Sequence, residues 1–123
     1  MAGPTTAHYR IFLNDTYLSR FFQLERGADL RLAYAAQIQV EPDDDEICIL
    51  NRLFGQFNID HPDNYMNRSL SVADVVTVLR RGEDYKYSQP HSYVVQPVGF
   101  AQLDVVILND CVYAGRTVRP RGS

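Results

Sequence analysis

The sequence has no tryptophan, only two cysteines, no excess of basic residues and no apolar run long enough to cross a bilayer. Each shortage removes a class of protein. Cys48 and Cys111 are too few for a disulfide framework, and Cys48, inside "ICIL", reads as buried. With no long apolar run, the chain reads as cytoplasmic, with no role at a membrane. Lys and Arg total 12 against 15 Asp and Glu, for a net charge of −3. That leaves no general electrostatic footprint for nucleic acid, and it is too mild for mimicry of DNA. No G-x-S-x-G, P-loop, G-x-G-x-x-G or H-E-x-x-H pattern occurs, so the common hydrolase, nucleotide and zinc-protease signatures are missing. There is no internal repeat and no low-complexity tract.

What is present points to a folded sheet protein. The 123 residues suit one domain, 1–123, and 46% are hydrophobic, which argues against disorder. Eight Tyr and six Phe favour a core of aromatic and β-branched side chains. "YRIFL" (9–13) reads as a strand, the Asn-Asp pair at 14–15 as a turn, and "TYLSRFFQL" (16–24) as the returning arm of a hairpin. "LRLAYAAQIQV" (30–40) is a third strand. Pro42 ends it. Asp43 then stands three residues before Glu46 in capping-box spacing, and Ile47, Leu50, Phe54 and Phe57 follow at helical intervals. "EPDDDE" is thus a helix entry complementing the dipole rather than a metal site. "VVTVL" (75–79), "YKYSQPHSYVV" (85–95, interrupted at Pro90) and "FAQLDVVIL" (100–108) read as strands. Asn109-Asp110 turns into "CVYAGRTV", a strand or hairpin at 104–115, and 116–123 reads as a basic flexible tail. The fold class is α+β: a mostly antiparallel, curved sheet of five to seven strands, with a half-open barrel as one form of it, packed on one main helix near 43–57.

Three constellations carry chemistry. Asp60, His61 and Asp63 offer metal-ligating atoms, and a small metal-dependent enzyme centred on His61 is one reading. Neighbours in sequence need not converge on one ion, however, and Pro62, Asp63 and Asn64 are turn formers. Arg80, Arg81, Tyr85, Lys86 and Tyr87 form a basic and aromatic set on an expected hairpin, of a kind that can stack single-stranded bases. In "SLSVADVV", Ser71 and Asp74 have helix-start spacing, but the β-branched run Val75, Val76, Thr77, Val78 disfavours a helix. We read a short turn over 70–74, with Asp74 accepting backbone N–H bonds, and then a strand. No cofactor is called for by any of these.

The stretches "FGQFNIDHPDNYMNRSLSVADVVTV" and "YVVQPVGFAQL" resemble the YodL-like domain family. The likeness covers residues 9–103 and falls on Phe57, Asn58, His61, Pro62, Ser69, Ser71, Asp74, Gly99 and Phe100, among others. Ala73 stands where that family often has Ser or Gly. The resemblance implies a small domain of bacteria, phages and conjugative elements, and it brings no catalytic residue. It implies a mobile-element setting, in which a protein-binding accessory role is expected, with a host or defence factor as target in the bacterial cytoplasm. A nucleic-acid-binding module is the alternative.

Overall fold

Alternate residues of a strand face opposite sides, so one strand can supply two cores. That principle organises this chain. A computed structural model describes residues 5–16, 23–41, 43–59, 62–80 and 89–118. These build β1 (Thr5–Asn14), β2 (Asp29–Val40), α1 (Glu46–Ile59), β3 (Val75–Arg80), β4 (His91–Val95), β5 (Phe100–Gln102) and β6 (Cys111–Val112). The six strands form one curled half-barrel sheet in the order β5-β4-β3-β1-β2-β6, and every pairing is antiparallel. With α1 on one face, the class is α+β.

On the helix face, Tyr9, Ile11 and Leu13 of β1 and Val76 and Val78 of β3 meet Ile49, Leu50, Leu53 and Phe57 of α1. Fully burying each such helix side chain contributes roughly 1.5–3 kcal/mol, which holds the helix down better than its own propensity would. The opposite face uses the other set of residues. Phe12, Val75 and Val94 pack under Leu103, Ile107 and Tyr113 of the C-terminal segment, with Leu24 and Leu30 beside them.

β2 serves both cores because of a bulge. Ile11 pairs with Tyr34 but Phe12 pairs with Leu32, so Ala33 is an extra residue. One inserted residue inverts the inside–outside phase. Leu30 and Leu32 therefore join the C-terminal side, while Tyr34, Ala36 and Ile38 join the helix side.

Several expectations are corrected. β1 does not form a hairpin with 16–24: its two edges are taken by β2 and β3. Residues 17–22 lie outside the described residues, and Leu24 bridges to Val118 instead. The helix cap is Asp45 rather than Asp43, its Oδ1 accepting from the Cys48 N–H at 2.7 Å. The buried face is formed by Ile49, Leu50, Leu53 and Phe57, which leaves Ile47 46% exposed and Cys48 exposed too. The strand expected over 100–108 ends at Gln102. No second hairpin closes through 109–110, because β6 crosses the sheet and pairs with Asp29 and Leu30 of β2.

Candidate functional site

The 62–74 segment, which carries Pro62, Ser69, Ser71 and Asp74 of the motif, is organised around one carboxylate. Asp74 is fully buried. It accepts from the Asn14 N–H at 2.9 Å and the Ser71 N–H at 2.8 Å, as expected for a turn-stabilising group. Arg68, which the sequence reading did not single out, adds a bidentate pair to it at 2.6 and 2.7 Å. Both oxygens of a buried carboxylate are thereby satisfied, and such a group is costly only when left unpaired. The turn ends on Ala73 at φ 75, a left-handed geometry that costs a residue with a Cβ on the order of 1 kcal/mol. Of the two residues that the related motif often has there, glycine escapes this cost and serine, with its own Cβ, does not.

The other described motif residues make the following contacts. Phe57 stacks edge-on with Tyr65 at 4.8 Å, Tyr34 at 5.4 Å and Tyr9 at 5.8 Å. Pro62 accepts from the Tyr65 N–H, closing the turn at 63–64. Asn64 accepts from the Tyr34 hydroxyl at 2.9 Å. The Ser69 carbonyl receives Arg68. Gly99, at φ 79, makes the turn between β4 and β5, and Phe100 meets Phe54 at 6.2 Å. Asn58 keeps a buried side-chain oxygen with no partner among the described residues. His61 lies outside the described residues, as do Arg81, Tyr85, Lys86 and Tyr87. Arg80 is described, and its guanidinium is drawn to the carbonyls of Asp44 and Glu41 before the helix.

Two constellations appear that no local pattern announces. At the start of α1, the carboxylate of Glu46 lies 2.9 Å from His91 Nδ1 and 2.5 Å from the Tyr93 hydroxyl. Carboxylate, imidazole and phenol are acid–base groups, but this phenol is a poor proton donor. Burial, and then the bond to Glu46, push its pKa up. The trio ties the helix start to β4. Elsewhere, Cys111 is also a weak nucleophile, its pKa raised by burial and by Asp110. No group of three His, Cys, Asp or Glu that could hold a metal occurs among the described residues.

The second constellation lies on the sheet face away from α1, which is covered only in part. A ring of hydrogen bonds pins Ile107 to the sheet. Its N–H donates to Ser92 Oγ at 2.8 Å, the Ser92 and Thr77 hydroxyls are 2.7 Å apart, and Thr77 donates back to the Ile107 carbonyl at 2.6 Å. Beyond that ring the face opens into a cleft of about 400 Å³ lined by His8, Arg10, Ala35, Gln37, Leu79 and Leu108, among others. The Arg10 guanidinium donates to the Leu108 carbonyl and pairs with no carboxylate among the described residues.

The cleft runs out to the edge of the sheet. β6 covers β2 only at Asp29 and Leu30, and Asp110 then caps the Leu32 N–H at 2.6 Å. Asn67 takes the Ala33 carbonyl, and Arg52 takes the Gln39 carbonyl at 3.1 Å. Alternation from Gln39 puts the N–H and C=O of Ala35 and Gln37 on the same outer edge. Among the described residues no strand pairs with them.

Comparison with known proteins bears on this arrangement. The family model of the YodL-like domain matches residues 5–105. The chain belongs to the YodL-like domain family. The match includes the five strands from β1 to β5, the helix and the Asp74 turn, and it stops before the segment that carries Ile107 and Tyr113 over the second face. No curated protein and no solved structure matches the YodL-like chain. No helix among its described residues is long and apolar enough to cross a membrane.

Proposed function

We propose that this YodL-like protein is a non-enzymatic accessory protein of a phage or other mobile element. In this reading it works in the bacterial cytoplasm by binding another protein, a host or defence factor, through the outer edge of β2. One observation carries the reading. Residues 32–40, "LAYAAQIQV", contain no charge and no proline, and among the described residues no strand pairs with their edge at Ala35 and Gln37. Sheets normally guard such an edge with lysine, proline or a covering element, because bare N–H and C=O groups recruit another strand. A protein that binds by strand addition needs the edge bare.

The test uses an edge proline. The Gln37 N–H points outward, so Gln37→Pro removes one docking donor and leaves the β1 ladder intact. A photo-crosslinking residue at position 39 should capture a bacterial protein with wild-type Gln37. Capture should drop at least tenfold with Gln37→Pro, while the melting temperature stays within a few degrees. Undiminished capture by a folded Gln37→Pro protein counts against the edge as the contact.

A further inference from the structure

The edge and the cleft together define what kind of strand fits. Resting on the reading just given, we infer that the partner segment is an extended strand with an Asp or Glu side chain opposite Ala35, and that Arg10 receives this carboxylate. The argument is one of columns across the sheet. Thr77, Arg10 and Ala35 are cross-strand neighbours on the face away from α1. A strand added outside β2 places its own residue next in that row, two inter-strand spacings from Arg10, or about 10 Å between Cα atoms. The side chain between them is a methyl group, so it blocks nothing. An arginine reaching from one side and a carboxylate from the other can span that gap over Ala35.

Charge complementarity selects the same partner. Arg10 has one carbonyl acceptor, on Leu108, and no counter-charge among the described residues. Its cleft is walled by Leu79 and Leu108, which shield an ion pair from part of the solvent. A second copy of this chain fits poorly. Antiparallel pairing of two β2 edges brings residues 32–40 together, and that segment contains no acidic residue to meet Arg10.

The experiment is a selection from a random peptide library displayed on phage, using the immobilised full chain as bait. Backbone amide shifts then locate each selected synthetic peptide on the protein. The expected result has three parts. Selected peptides share an acidic residue at one position, their binding shifts the amides of Ala35 and Gln37, and Arg10→Gln weakens binding about fivefold, as for a partly shielded ion pair. Ala35→Leu, which fills the row while keeping the Arg10 charge, should abolish the acidic preference, and Arg10→Glu should select Lys or Arg instead. Peptides that shift Ala35 and Gln37 with no acidic preference overturn this inference and leave the edge reading standing. Selected peptides whose shifts lie elsewhere, no selected peptide at all, or a dimer that occupies the edge overturn both.

Discussion

The two faces of the sheet are built by different means. The helix face is closed by one amphipathic element and by four aromatic rings, Tyr9, Tyr34, Phe57 and Tyr65, in mutual edge contacts. The opposite face is closed by an irregular segment held through polar links. These are the Ile107 ring with Thr77 and Ser92, and the buried Tyr113, whose hydroxyl reaches the Asp104 carboxylate at 3.0 Å and the Arg116 carbonyl at 2.5 Å. Gly115 stands so close to that Asp104–Tyr113 contact that a Cβ would overlap both groups. A helix covers a sheet continuously. A pinned segment covers only where it is pinned, and the remainder becomes the cleft. The difference teaches that a continuous cover closes a face completely, whereas a pinned one leaves a cleft beside each point of attachment.

Substitutions can break that division, the largest effect coming first. Phe57→Ala removes the ring at the centre of the aromatic group and should cost about 3–5 kcal/mol in chemical denaturation, destabilising both faces together. A loss below 1 kcal/mol would mean that the helix face is not the dominant core. Thr77→Val opens the hydrogen-bond ring, leaving the Ile107 carbonyl and the Ser92 hydroxyl short of a partner. We expect about 1–3 kcal/mol. Hydrogen exchange should speed up at Leu103 and Ile107 and stay slow in α1; uniform acceleration would show that the second cover does not open by itself.

Alkaline titration sharpens the comparison with one marker on each face, and at neutral pH its effect is the smallest. Burial holds both Tyr9, on the helix face, and Tyr113, on the other, up to about 12 from the usual 10.0; charge repulsion from an ionised Tyr34 adds to the first and the Asp104 bond to the second. A raised folded pKa means that the native state holds its proton more tightly. The contribution to stability is therefore complete below pH 10 and is lost as pH rises toward 12. Tyr113→Phe should make the stability fall less steeply over that window, with the share from Tyr9 remaining. Phenolate absorbance that shows all eight tyrosines ionising together near pH 10 would refute both assignments.

Much of the framework was legible residue by residue. The β-branched run at 75–78 gave a strand, the spacing through Leu50 and Phe57 gave a helix, and the turn into Asp74 was readable because a carboxylate beside a short turn has a local use. Arg68 as its counter-ion was not, since nothing in the spacing shows that the loop folds back on itself. The hairpin expected at 16–24 failed because a turn pair specifies a change of direction and not which strand takes the neighbouring edge. Glu46, His91 and Tyr93 were missed because residues 46 and 91 meet only after α1 and β4 are packed. The cleft had no signature at all: Arg10, Ala35 and Thr77 sit on three different strands.

The sequence by itself determined the local alternatives: which stretches are extended, where the helix runs, which loop carries the YodL-like motif, and that nine residues of one strand bear no charge. Those properties depend on neighbours within a few positions. Tertiary structure alone decided that this uncharged strand has, among the described residues, an edge unpaired between two capped ends, and that an arginine with no counter-charge among those residues lies one small residue away. Edge, row and coverage are relations between strands far apart in the chain, set by register and packing, and no local spacing encodes them.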